Sequence, residues 1–205
     1  ERYDRARPWY PGEMVDEIVR KVPGPDVLDV GAGTGIEARQ FRAAGCRVLG
    51  VEPDQRMADV ARRHGVDVEV ATFEAWDPAG RDFDAVVSGT AWHWVDPTSG
   101  AAKAAKVLRP EGRIALFWNV GQTPDDVTKA FASVYERVAP SSMAARGYRQ
   151  GVPAIEGYSA IFDVATDGIE QTGAFAGPER WRFDWKREYT TDEWLEVLPT
   201  LGGQS

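Results

Sequence analysis

Cys46 is the only cysteine in the chain. No intrachain disulfide and no cysteine-based metal cluster can therefore form. A lone thiol suits a reducing compartment, and a cytoplasmic location is the expectation. Long apolar runs are also lacking, and nothing approaches the roughly 18 to 20 residues of a membrane span. No signal peptide is visible. Basic charge is in short supply, with 24 Lys and Arg against 32 Asp and Glu and a net charge of −8. A phosphate backbone needs a basic face, so a nucleic-acid partner is not expected. No membrane partner is expected either. A small-molecule substrate suits this charge better, with the chain acting as a monomer or homodimer. Histidine is scarce too, at two residues. The chain opens on Glu1 without a methionine, and upstream residues are expected.

What is present suits a folded domain. Hydrophobic residues make up 43% of the chain, with eight Trp and eight Phe to bury. Disorder is thereby disfavoured. After a polar, aromatic and proline-broken lead-in, Glu13–Lys21 reads as a helix with Met14, Ile18 and Val22 at helical spacing. Strands are then expected at Asp26–Val30, Arg47–Val51, Val66–Val70, Phe83–Ser88 and Arg113–Trp118. Helices are expected between them at Gly35–Ala44, Asp54–His64 and Ser99–Leu108, with Asp54 as an N-cap. This alternation predicts a doubly wound, mostly parallel α/β sheet covered on both faces.

Past residue 120 the pattern changes. Pro124–Val138 reads as a helix. Residues 140–180 carry no clean periodicity. Trp181–Tyr189 alternates like a strand, and Thr191–Leu198 reads as a helix capped by Thr191. The expected organisation is a single domain over 1–205. Residues 1–120 would be its cofactor-binding core and 121–205 an α-rich cap or insertion.

The first strand runs into Gly31-Ala32-Gly33-Thr34-Gly35 and then a helix. Glycines allow a tight turn and a close ligand approach. The second strand ends at Glu52, where a carboxylate can accept hydrogen bonds from a ribose diol. Two cofactor classes use this architecture. Dinucleotide enzymes favour a third glycine where Ile36 stands, with a pyrophosphate at the helix N-terminus. Asp29, just before the loop, would repel a pyrophosphate and suits a cofactor with a cationic amino-acid end. A nicotinamide-dependent oxidoreductase is therefore the weaker alternative. A non-catalytic cofactor-binding protein is a third reading.

Val27 to Gly35 is similar to the first motif of class I S-adenosylmethionine-dependent methyltransferases. Val51-Glu52-Pro53-Asp54 with Met57 resembles that family's ribose and adenine segment. Ala71-Thr72-Phe73-Glu74 resembles its adenine-edge motif, and Lys106–Arg113 the turn into its fifth strand. Tyr3–Pro11 and Ala91-Trp92-His93-Trp94-Val95 look like the small-molecule subgroup that includes trans-aconitate methyltransferase. The resemblance covers about residues 1–120. It implies a Rossmann-like methyltransferase fold, with S-adenosylmethionine as cofactor and S-adenosylhomocysteine as product. It also implies a methyl acceptor that is small, a carboxylate or hydroxyl oxygen being favoured.

By position, the resemblance implies that Asp29, Gly31, Ala32, Gly33, Gly35 and Ala91 lie against the cofactor. Glu52 would hold the ribose, Pro53 and Met57 the adenine, and Thr72, Phe73 and Glu74 the adenine edge. Many relatives carry an acid where Thr72 stands, so either the Thr72 hydroxyl substitutes or Glu74 supplies the acid. Trp92 and Trp94 either shape a substrate pocket or close the core. His93 is a candidate general base or substrate contact. Tyr3 and Tyr10 are candidates for an N-terminal lid, and Arg5 and Arg7 for pairing with a substrate carboxylate. Class I members usually end in two further strands, for which no candidate follows residue 190. The ending Leu201–Ser205 therefore reads as an interruption.

Overall fold

The computed structural model describes residues 2–141, 145–147 and 154–200. Five strands make one parallel sheet: β1 (Asp26–Val30), β2 (Arg47–Val51), β3 (Asp67–Glu69), β4 (Phe83–Gly89) and β5 (Leu108–Phe117). Their order is β3-β2-β1-β4-β5. Winding reverses between β1 and β4, so the helices that follow those two strands cover opposite faces of the sheet. Such a switch point is where open α/β sheets bind ligands.

Period-two alternation sends side chains to two cores. Val27, Ala85 and Val87 join one cluster, with Met14 and Ile18 of the helix Gly12–Lys21 and Phe41 of the helix Ile36–Ala43. Leu28, Val30 and Val86 join the other, with Ala101, Ala104 and Val107 of the helix Pro97–Val107. Both faces are covered, as an all-parallel sheet requires. Helix starts follow local chemistry. Asp54 accepts from the Arg56 amide at 2.8 Å, and Asp96 accepts from the Ser99 amide at 2.8 Å, with Pro97 inside the first turn.

Chain contacts divide the molecule into two compact units. One holds Pro8–Asn119 and Asp163–Arg187. The other holds Arg2–Arg7, Val120–Phe162 and the residues from Glu188 onward. Within the second unit, the helix Arg2–Ala6 carries Arg2, whose guanidinium lies 3.2 Å from the Glu196 carboxylate, and Arg5, at 3.8 Å from the same group. Phe131, on the helix Asp125–Val138, stacks on Trp194 with ring centroids 5.8 Å apart.

Several expectations past residue 120 need correction. The stretch without periodicity contains an 18-residue helix, Ala154–Gln171. Trp181–Tyr189 is irregular and joins no ladder of the sheet, although Phe183 packs on the first core cluster. The last long helix, Thr191–Val197, is capped by Thr190 in a capping box with Glu193. The lead-in already contains the Arg2–Ala6 helix. Leu201–Ser205 lies outside the described residues. No helix among the described residues is long and apolar enough to cross a membrane.

Candidate cofactor site

The glycine loop folds back onto the end of β2. The amides of Gly31 and Ala32 both donate to the Val51 carbonyl, at 2.8 and 3.2 Å. Gly31, Gly33 and Gly35 all take positive φ, at 74°, 55° and 82°. A Cβ on Gly31 would fall on the Ala91 methyl, far inside van der Waals contact. Glycine at this position therefore lets the loops after β1 and β4 touch.

Glu52 braces the loop. Its Oε2 accepts from the Gly33 amide and its Oε1 from the Asp54 amide, both at 2.8 Å. The carboxylate is buried, and each oxygen keeps a second lone pair for a further donor. Pro53 is exposed and Met57 half-buried beside it.

Asp29 sits in the middle of the sheet, in register with Gly50 of β2 and Val87 of β4. It is 0% exposed, and neither carboxyl oxygen has a hydrogen-bond partner among the described residues. Burial pushes its carboxyl well above the usual range, and the charges of Glu37 and Glu52 add to the effect. Glu37 is also buried, and desolvation raises it from 4.5 to about 8. The sequence reading missed Glu37. A carboxylate in the first turn of a helix looks like ordinary dipole complementation, and only burial distinguishes it.

Glu37 makes the stability of the ligand-free protein pH-dependent. The unfolded chain gives up this proton near pH 4.5, and the folded protein only near 8. The folded state therefore binds the extra proton in between, and stability falls as pH rises through that window. A Glu37→Gln variant is expected to melt above the parent at pH 9 by roughly 5–10 °C, converging with it near pH 5. Calorimetric scans across pH check this, and a gap independent of pH overturns it.

The remaining expected site residues fall into three groups. Thr72 is exposed, and its hydroxyl caps the Ala75 amide at 3.3 Å. Glu74 is exposed and accepts from the Asp96 amide at 3.0 Å, bracing the loop after β4. The Phe73 ring is buried between Trp76 and Trp92, with centroids 6.3 and 6.0 Å away. Its ring thus packs in the core.

The aromatic segment divides in the same way. Trp92 is 2% exposed in the second core cluster, so the core-closing alternative describes it. Trp94 is 82% exposed. His93 lies between them on the surface, where its Nδ1 accepts from the Trp118 indole N–H at 3.4 Å. Desolvation lowers its pKa.

Tyr10 is buried and clamped. Its amide donates to Gln40 Oε1 at 2.9 Å, and its carbonyl accepts from Gln40 Nε2 at 2.7 Å. Its hydroxyl meets Thr90 Oγ1 at 2.9 Å. These bonds tie Tyr10 to the helix Ile36–Ala43 and to the loop after β4. Tyr3 and Arg7 belong to the second unit, where the Arg7 guanidinium lies 5.3 Å from the Tyr3 ring centroid.

Comparison with known proteins agrees with this geometry. Residues 28–116 match the methyltransferase domain family. The chain is 40% identical over 120 residues to an uncharacterized methyltransferase of Mycobacterium bovis, covering 57% of this chain and 49% of the relative. It is 31% identical over 147 residues to nocamycin O-methyltransferase of Saccharothrix syringae, covering 63% and 51%. A solved structure of a putative type II methyltransferase from Anaeromyxobacter dehalogenans superposes with a TM-score of 0.50 at 27% identity, covering 65% of this chain and 57% of that one. The chain thus spans about half the length of the curated relatives it matches. Neither the oxidoreductase nor the non-catalytic alternative is favoured by these matches. The residues fit the methyl donor of that family. Asp29 offers an orphaned buried carboxyl, Thr34 an orphaned buried hydroxyl, and Gly31 a backbone without a Cβ. Over residues 28–116 the chain matches the methyltransferase domain family, a match that supports an S-adenosylmethionine-dependent methyltransferase.

Proposed function

We propose that the chain transfers a methyl group from S-adenosylmethionine to an oxygen of a small-molecule acceptor, a carboxylate before a hydroxyl. The observation that carries the cofactor half is Asp29, buried without a partner beside a glycine loop that Glu52 braces. When bound, the cofactor supplies a methyl group already activated by its sulfonium. The chain's own task is then alignment and exclusion of water, more than bond-making chemistry. In this reading Glu52 orients the ribose, Met57 and Pro53 flank the adenine, and Gly31 to Gly35 admit the methionine end. The protein acts as a monomer or homodimer in the cytoplasm.

The oxygen acceptor rests on two supports. Similarity to an enzyme named for O-methylation is one. The other is His93. With Nδ1 accepting from Trp118, the neutral ring carries its proton on Nε2. It offers an N–H to a substrate oxygen, and its lone pair is already engaged. A carboxylate needs no base, and the trans-aconitate subgroup to which the 91–95 segment is similar suits such an acid.

Transfer from labelled cofactor to a panel of carboxylic acids, phenols and amines tests the proposal. Esters of the acids are the expected products, and transfer to amines alone overturns it. On the carboxylate acceptor, His93→Gln is expected to lower kcat by less than about tenfold, well short of the roughly 10²–10⁴ that loss of a general base costs. A larger loss, with a hydroxyl as acceptor, assigns His93 as base.

A further inference from the structure

Reading Asp29 as the cofactor's anionic contact leaves Glu37 without a role. Glu37 follows the glycine loop on the first turn of the helix Ile36–Ala43 and is 5% exposed. The end of β4 leaves room for its carboxyl group. A Cβ built on Gly89, at the end of β4, would lie 2.7 Å from Glu37 Oε1 and 2.7 Å from the Tyr10 hydroxyl. Only glycine there lets the carboxyl reach the strand end. The Glu37 and Gly89 amides hydrogen-bond to it.

The charged neighbours are mostly acids. Asp29 faces Glu37 from β1 and Glu52 from the end of β2. Tyr10 and Thr90 contribute neutral hydroxyls. Arg39, on the same helix, is the opposing charge, and its Nε donates to the Gly35 carbonyl at 3.0 Å. Asp29 and Glu37, both buried and both beside the Glu52 carboxylate, cannot both ionise readily in a low-dielectric site. One proton must be held among them. Asp29 adds a separate observation that points to a ligand, because both of its oxygens are buried and unpartnered.

We propose that the Asp29 and Glu37 pair retains one proton in the ligand-free protein, on one carboxyl or the other, and releases it when the cationic amino-acid end of the cofactor docks against them. The step balances without a redox partner. The carboxyl O–H bond breaks, its electron pair stays on the carboxylate, and the proton passes to the buffer. The ligand's ammonium then takes the place of the released proton as counter-charge to the pair. Binding becomes proton-coupled, and the site discriminates against ligands that lack the ammonium. The inference rests on Asp29 facing the cofactor, and it is independent of the methyl acceptor.

The test is calorimetric titration of S-adenosylhomocysteine into the protein, in buffers of different ionisation enthalpy and across pH 6 to 8. The observed heat is expected to vary with buffer enthalpy by about one released proton, with Kd falling up to about tenfold per pH unit. In Glu37→Gln the released fraction is expected to fall by at least half, while binding survives. Tight parental binding with a buffer-independent heat overturns the proton coupling and leaves the cofactor site standing. Parental affinity and heat in both Glu37→Gln and Asp29→Asn remove these residues from the site, and the reading of Asp29 falls as well. If Glu37→Gln does not fold by circular dichroism, the buffer and pH series on the parent protein decide the matter alone.

Discussion

A Glu52→Ala variant is expected to bind S-adenosylhomocysteine at least about a hundredfold more weakly and to melt several degrees lower without ligand. The two losses have different origins. The carboxylate accepts from the Gly33 and Asp54 amides, both at 2.8 Å, from a buried position. Truncation leaves two amides without their acceptor, at about 1–3 kcal/mol for each that water cannot reach. It also removes the brace that holds Gly33 in its positive-φ conformation. Removing the negative charge works in the other direction, because Glu52 disfavours ionisation of Asp29 and Glu37. The fall in stability should therefore be smaller at high pH than two lost hydrogen bonds suggest. Affinity has no such offset, since the proposed ribose contact and the loop geometry are lost together. Glu52→Gln separates the contributions. Its carbonyl can accept from one amide, but its NH₂ then confronts the other, so an intermediate melting temperature is expected. Unchanged affinity in Glu52→Ala removes the ribose role, and unchanged melting removes the brace.

Most of this site was legible because its parts are contiguous in sequence. Strand, glycine loop and helix follow one another from Asp26 to Ala43, and the acid ends the next strand. The alternation of Val27 with Leu28 and of Ala85 with Val86 already specified two-sided burial. What escaped depends on tertiary contacts. The helix Ala154–Gln171 contains Gly157 and Gly168, which weaken a helical reading. Gly168 has a packing reason: a Cβ there would lie 2.5 Å from the Pro97 carbonyl oxygen. Trp181, Phe183 and Trp185 alternate as a strand would, yet among the described residues no strand pairs with them. Phe183 packs inward, and Lys21 covers Trp181 at 4.7 Å from the ring centroid. Local periodicity cannot report whether a ladder partner exists.

The chemistry of the acids was only partly legible. Asp29 could be chosen from its place before the loop, because a negative charge there disfavours a pyrophosphate. Its lack of a hydrogen-bond partner among the described residues could not be read, nor could its proximity to Glu37, eight positions along the chain. The aromatic residues show the same limit in reverse. Trp92 and Trp94 are two positions apart in a single 3₁₀ turn, yet one is buried and the other open to solvent. Phe73 and Trp92 meet in the core because the turns after β3 and β4 converge there. A motif thus marks candidate loops, and packing decides which of their side chains remain available to a ligand.

Gly31→Ala is expected to abolish measurable cofactor binding and to destabilise the fold by about 3 kcal/mol or more. Two separate costs contribute. At φ 74° an alanine pays the left-handed penalty of roughly 1–2 kcal/mol. Its methyl would also occupy the space of the Ala91 side chain. Ala91 has little freedom to move. Thr90 precedes it at φ 56°, tied by its amide to the Phe117 carbonyl at 2.8 Å, and the buried Trp92 follows. Relief must therefore come from the glycine loop, which would lift away from the Val51 carbonyl that holds Gly31 and Ala32. A second change makes this quantitative. Ala91→Gly removes the collision partner, so the Gly31→Ala/Ala91→Gly double variant keeps only the backbone penalty. It is expected to recover most of the lost stability, with a coupling energy of about 1–3 kcal/mol between the sites. Denaturant unfolding of the four proteins measures that cycle. Additive effects would mean that the two loops do not touch, and the switch-point contact through which Gly31 meets Ala91 would be wrong.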